Sequence, residues 1–177
     1  MLRIVFTGPE SSGKTTLTQH LAAHYGAPWV PEYARVYLEQ QAAGYTEGDL
    51  IKIAEGQLYR ENRISAGSPP LLLCDTDLIT IKIWSEYKYQ RTAPWILQQI
   101  HERHYDYYFL CRPDISWEAD PLRENPHDRE ALYDRYRDEL DALGKTYVEI
   151  GGSLTERMQK AIPLIDRWLR TACSPSP

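Results

Sequence analysis

"GPESSGKT", residues 8–15, follows a short apolar run and precedes an amphipathic one. Gly8, Gly13, Lys14 and Thr15 match the pattern G-x-x-x-x-G-K-[ST] of a phosphate-binding loop. Glycine lets the backbone wrap a phosphate with its N–H groups inward, and the helix that follows turns its positive end toward the same charge. On this reading Gly8, Ser11, Ser12, Gly13, Lys14, Thr15 and Thr16 cradle ATP or another nucleoside triphosphate, with Lys14 reaching the β- and γ-phosphates and Thr15 placing a hydroxyl on Mg²⁺. A chance glycine-rich turn would lack the strand before it and the helix after it. The pattern marks a triphosphate site without saying where the terminal phosphate goes.

Outward from the loop, "RIVFTG" (3–8) reads as a buried strand, and Leu17, Leu21, Ala22 and Tyr25 recur at helical spacing over 13–25 until Gly26 and Pro28 stop the helix. A very short strand at 29–30 leads to a helix from about 32, and Thr46 and Asp49 suggest a capped helix over about 46–65. "LLLC" (71–74) is apolar throughout, as a central parallel strand should be. Helices at about 78–87 and 94–103, a strand at 105–111, a polar loop to about 127, a helix, a strand within "TYVEIGG" and a last helix at 153–170, kinked by Pro163, complete the chain. Strands alternating with helices imply an α/β fold, a central parallel sheet flanked by helices on both faces, as in mononucleotide-binding folds. Strand order is not legible from the sequence.

The 177 residues, 42% of them apolar, suit one domain over 1–172, with 173–177 a frayed tail. A net charge of −5 disfavours nucleic acid as a main partner. Cys74, Cys111 and Cys173 have no metal-ligand spacing and read as reduced thiols, which with the lack of an export signal or an 18-residue apolar run points to a cytoplasmic protein without a membrane span.

Other strand ends supply the remaining site candidates. Asp75 follows the 71–74 strand where an acid would ligate Mg²⁺, directly or through water; Asp77 is either a second such acid or the cap of the next helix. "VPEYAR" puts Glu32, Tyr33 and Arg35 past the second strand, where ligands of open α/β sheets lie. Glu32 would accept a proton from an attacking hydroxyl and Arg35 steady a phosphate, against the alternative of a solvated helical turn. The segment 112–128 reads as a lid, with Arg123 and Arg129 closing over the triphosphate, or else pairing with Glu118, Glu124 and Asp128. Among many aromatics, Tyr33, Trp84, Tyr87 and Trp117 fall near these segments, Trp84 and Trp117 being the choices for stacking on a substrate ring.

The stretches "FTGPESSGKTTL", "VPEYAR", "CDTDLITIKIWSEYKY" and "SWEADPLRENPHDR" together resemble the ribosylnicotinamide kinase domain of NadR-type proteins of NAD biosynthesis, over about residues 2–136. The resemblance implies a P-loop NTPase fold of nucleoside and nucleotide kinase type. It implies transfer of the ATP γ-phosphoryl group to the 5′-hydroxyl of nicotinamide riboside, and it strengthens Glu32 as base. The bifunctional NadR-type members also carry an adenylyltransferase domain, and some a DNA-binding segment, ahead of the kinase. Neither fits before Met1, so the expected chain makes nicotinamide mononucleotide without finishing NAD or repressing transcription. A kinase for another nucleoside or a nucleoside monophosphate, and a regulatory ATPase acting as a switch, are the alternatives; Glu32, Asp75 and Asp77 all remain candidates for the base.

Overall fold

The computed structural model describes residues 1–41, 45–117 and 128–173. Its strands are β1 (Leu2–Thr7), β2 (Trp29–Val30), β3 (Leu71–Asp75), β4 (Tyr107–Cys111) and β5 (Tyr147–Ile150). Between and after them lie helices α1 (Lys14–Tyr25), α2 (Tyr33–Leu38), α3 (Glu47–Ser65), α4 (Leu78–Tyr89), α5 (Pro94–Glu102), α6 (Arg129–Ala142) and α7 (Leu154–Cys173). All strand pairs are parallel and the sheet order is β2-β3-β1-β4-β5. β1 therefore lies between β3 and β4, so the connections leaving β1 and β3 diverge at the switch point where ligands of such sheets bind.

The alternation of side chains along each strand divides the core into two layers. Ile4 and Phe6 of β1, Leu71 and Leu73 of β3, and Phe109 and Cys111 of β4 pack with Leu17 and Leu21 of α1 and with Ala161, Ile165 and Trp168 of α7. Their neighbours Val5, Leu72, Cys74, Tyr108 and Leu110 face the other way, against α2 to α6. Both faces being covered explains why β3 has no polar position before Asp75.

β4 begins at Tyr107 rather than at the expected 105, although the Asp106 amide already donates to the Arg3 carbonyl of β1 at 2.9 Å. The Tyr105 hydroxyl donates to buried Glu61 at 2.7 Å, and the Arg3 amide donates to the Asp106 carboxylate at 2.7 Å. α7 continues through Pro163 to Cys173. No helix among the described residues is long and apolar enough to cross a membrane.

Candidate active site

The loop after β1 turns at Gly8, whose φ is +135°; a Cβ there would approach the Cys111 carbonyl oxygen to 2.6 Å, so no other residue lets the chain pass the end of β4. Gly13, left-handed at φ +79°, starts α1. The Lys14 ammonium donates to the carbonyls of Gly8 and Pro9 at 2.9 and 2.8 Å, so the lysine is folded along the rim of its own loop. Because β3 pairs with β1, with Asp75 opposite Phe6, the carboxylate ending β3 reaches the start of α1, and the Thr15 hydroxyl donates to Asp75 Oδ2 at 2.6 Å. The next residue, Thr76, is buried and β-branched at φ +70°, a strained conformation held by its N–H bond to the Phe6 carbonyl.

A cleft of about 170 Å³ opens beside the loop, lined by residues of the loop itself, by Glu32, Ala34, Arg35 and Leu38, by Thr80 and Trp84 of α4, and by Tyr136 of α6. Glu32 directly precedes α2 and makes no side-chain capping bond, which leaves its carboxyl to the cleft. Burial pushes its pKa up to about 7, the Asp75 carboxylate pushes the same way, and Lys14 and Arg35 oppose them. Burial also raises Asp75, against the Thr15 hydrogen bond and the charges of Lys14 and Arg35. A carboxyl of this kind is matched to proton transfer near neutral pH.

The oxygens of Thr15 and Asp75 fit a hard cation such as Mg²⁺. Asp75 Oδ2 holds the Thr15 hydroxyl, whereas Oδ1 is buried with no hydrogen-bond partner and so offers an unused acceptor. Among the described residues no group of three or more His, Cys, Asp or Glu side chains could hold a metal ion, so a cation here would need oxygens from phosphate and water as well.

Gly8, Ser11, Ser12, Gly13, Lys14, Thr15, Thr16, Glu32, Arg35 and Trp84 thus meet in one cleft, with Asp75 tied to it through Thr15. Asp77, expected as a second acid of the site or as a cap, is a cap: one oxygen accepts from the Ile79 amide at 3.1 Å, the other from the Tyr108 hydroxyl at 3.0 Å, and it does not line the cleft. Tyr33 also lies outside the lining, because its ring packs against Gly56 of α3. Trp117 is absent from the lining too and sits under the Arg129 guanidinium, 5.8 Å from the ring centroid. Tyr87 bonds Asp128 at 2.6 Å instead. Arg129 donates to the carbonyls of Ser11 and Ile115 at 3.1 and 3.0 Å, joining the phosphate loop to the first residues of the expected lid. Arg123, Glu118, Glu124 and most of that lid lie outside the described residues.

Sequence reasoning missed Arg157. Its buried guanidinium donates to the Ser12 carbonyl at 2.5 Å, to Gly152 at 2.9 Å, to Arg112 at 3.1 Å and to the Asp114 carboxylate at 2.5 Å. It thereby pins the phosphate loop to the ends of β4 and β5. One signal was available: Arg157 is in step with Ala161, Ile165 and Trp168 on the buried stripe of α7, where an apolar residue belongs. Leu38, Thr80 and Tyr136 were missed as cleft residues because only the tertiary fold brings their helices together.

A family model described as an AAA domain matches residues 3–157. The likeness to NadR-type proteins read from the motifs is met by two relatives. The trifunctional NAD biosynthesis/regulator protein NadR of Salmonella typhimurium (strain LT2) is 28% identical over 126 residues, 68% of this chain and 30% of that protein. Its namesake in Escherichia coli (strain K12) is 28% identical over 124 residues, with the same coverage. The chain thus spans under a third of these relatives' length. A solved structure of NadR in complex with NR superposes with a TM-score of 0.75 at 22% identity, covering 99% of this chain and 51% of that one. A thymidylate kinase from Ehrlichia chaffeensis superposes with a TM-score of 0.63 at 14% identity, covering 93% and 98%. At these identities the superpositions show the fold alone, a P-loop fold shared with these two proteins.

Proposed function

We propose that this chain, which belongs to the AAA domain family, is a kinase that transfers the γ-phosphoryl group of ATP to the 5′-hydroxyl of nicotinamide riboside, giving nicotinamide mononucleotide. The observation that carries the reading is Glu32, a carboxyl with a raised pKa facing the same small cleft as Lys14 and walled by Leu38, Trp84 and Tyr136. An acceptor hydroxyl between them would meet its base on one side and the phosphate loop on the other. The NadR relatives and the NadR structure holding NR favour nicotinamide riboside as the acceptor.

Phosphoryl transfer demands positioning and charge stabilisation more than covalent chemistry. Backbone N–H groups of the 8–15 loop, Pro9 having none, would hold the β- and γ-phosphates, and Lys14 would leave the Gly8 and Pro9 carbonyls to reach them. Thr15 and Asp75 would hold Mg²⁺, which when bound offsets charge on the transferring group. Glu32 would take the hydroxyl proton, Arg35 would steady the phosphoryl group, and Trp84 would offer its face to the pyridine ring. Arg123 is proposed as a lid cation, while Arg129 keeps loop and lid base together through Ser11 and Ile115. Lys14 and Arg35 are the cations lining the cleft among the described residues, fewer than a monophosphate acceptor asks for.

The test is turnover by the purified protein with Mg-ATP and nicotinamide riboside, beside Lys14→Ala. Nicotinamide mononucleotide from the parent and none from the folded variant is the expected result. Equal ADP release by both, without a phosphorylated product, contradicts it.

A further inference from the structure

A second hollow, about 710 Å³, lies against the outer face of α3, with Pro31 and Tyr33 forming one wall. That volume falls within the range of about 300–1,000 Å³ typical of small-molecule sites. Lys52, Gly56, Tyr59, Arg60 and Arg63 share the face at helical spacing. A Cβ at Gly56 would overlap the Tyr33 ring, so glycine lets that ring lie flat on the helix.

The charges in the hollow are lopsided. Lys52 is paired with Asp49 at 3.2 Å. Arg60 and Arg63 have no carboxylate partner among the described residues; their guanidinium carbons lie 4.8 Å from the Tyr33 ring centroid and 5.9 Å from that of Tyr59. Glu55 is the single carboxylate in the lining, in a chain whose net charge is −5. Tyr59 is 63% exposed, a flat aromatic face that the core does not use. Two guanidinium forks three residues apart on a helix suit a doubly charged, many-oxygened anion, and the neighbouring ring suits a planar group carried by the same molecule.

We propose that this hollow binds a small molecule that joins a planar ring to a phosphate, the chemistry of a nucleoside phosphate, with the phosphate between Arg60 and Arg63 and the ring on Tyr59. The occupant touches Pro31 and Tyr33, the two chain neighbours of Glu32, and the Tyr33 amide donates to Gln57 Oε1 of α3 at 2.7 Å. Binding here therefore bears on Glu32, a consequence for catalysis that rests on the kinase reading, whereas the binding itself does not.

The experiment is a titration of the whole chain with phenyl phosphate, followed by ¹H–¹⁵N NMR with the catalytic cleft saturated by AMP-PNP and Mg²⁺. Expected are saturable shifts at the amides of Gly56, Tyr59, Arg60, Arg63 and Glu32, with inorganic phosphate alone and phenol alone binding at least tenfold more weakly. The Arg60→Ala/Arg63→Ala double variant should lose at least tenfold in phenyl phosphate affinity while its AMP-PNP affinity stays unchanged; Arg60→Lys/Arg63→Lys, which keeps the charge, should lose less. Shifts confined to phosphate-loop amides, equal binding of inorganic phosphate, or unchanged affinity in the alanine variant would each overturn the site, and an unmoved Glu32 amide would overturn its link to the cleft. No turnover enters these readings, so failure of the kinase assignment and failure of the hollow are separate results.

Discussion

Replacing Arg157 with methionine keeps the volume on the α7 stripe and removes the guanidinium that holds the phosphate loop. Three lost partners are the carbonyls of Ser12, Gly152 and Arg112, and the fourth is the Asp114 carboxylate. Hydrogen bonds to charged groups contribute about 1.5–3 kcal/mol each, but such deletions are not additive. Removing one partner of a buried ion pair costs about 3–5 kcal/mol. The Asp114 side chain is 38% exposed and is rehydrated once freed, which places the cost at the lower end, about 3 kcal/mol. For a chain of this size about 2–4 °C of Tm is lost per kcal/mol, so Tm should fall by roughly 10 °C. Urea unfolding followed by far-UV circular dichroism and thermal unfolding read both quantities. Because the shortest carbonyl contact, 2.5 Å, is to Ser12 inside the loop, AMP-PNP affinity should also fall at least tenfold under conditions where the variant is folded. A stability loss under about 1 kcal/mol together with unchanged AMP-PNP affinity would refute the claim that Arg157 positions the loop.

Three further substitutions test the same geometry. Glu32→Gln should lower kcat by about 10²–10⁴-fold with little change in KM, and the parent's kcat/KM should rise with pH through about 7, where Glu32 loses its proton, while the variant is flat; the same profile in both removes Glu32 as base. Since folding raises this pKa from 4.5, the stability that protonated Glu32 contributes is complete below 4.5 and lost as pH rises through about 7, so Glu32→Gln should melt higher than the parent at pH 8 and equally at pH 4, which differential scanning calorimetry checks. Gly8→Ala should destabilise by roughly 2 kcal/mol or more and abolish nucleotide binding, given its φ of +135° and the 2.6 Å approach to the Cys111 carbonyl; a stable variant with intact AMP-PNP binding contradicts that geometry. Trp84→Ala should raise KM for the nucleoside at least tenfold and leave that for ATP nearly unchanged, since base–aromatic stacking is worth about 1–3 kcal/mol; equal changes in both would place Trp84 elsewhere.

The sequence carried the phosphate loop and the elements around it because local chemistry dictates them: glycines at fixed spacing, an apolar β3 ending in Asp75, and alternation of strand with helix. Strand order was illegible, since it depends on which strands lie side by side in the whole sheet, and it is this order that brings Asp75 to Thr15. Adjacency in the chain misled where side-chain direction decides. Tyr33 follows Glu32 yet packs on α3, and Asp77 follows Asp75 by two residues yet caps α4. Glu32, from the same stretch as Tyr33, does reach the cleft. Arg157 was hidden because a charged residue on an otherwise apolar stripe gains its meaning only from the carbonyls it meets, and these come from three different loops.

The central claim is the identity of the phosphate acceptor, and product analysis by mass spectrometry tests it most directly. The purified chain would be supplied with Mg-ATP and one pool of nicotinamide riboside, thymidine, deoxycytidine, uridine and their monophosphates. Nicotinamide mononucleotide as the single phosphorylated product, formed in step with ADP, is the predicted result. A different phosphorylated nucleoside or a diphosphate would contradict the proposed acceptor while keeping the kinase, and ADP release with no phosphorylated product would contradict the kinase itself.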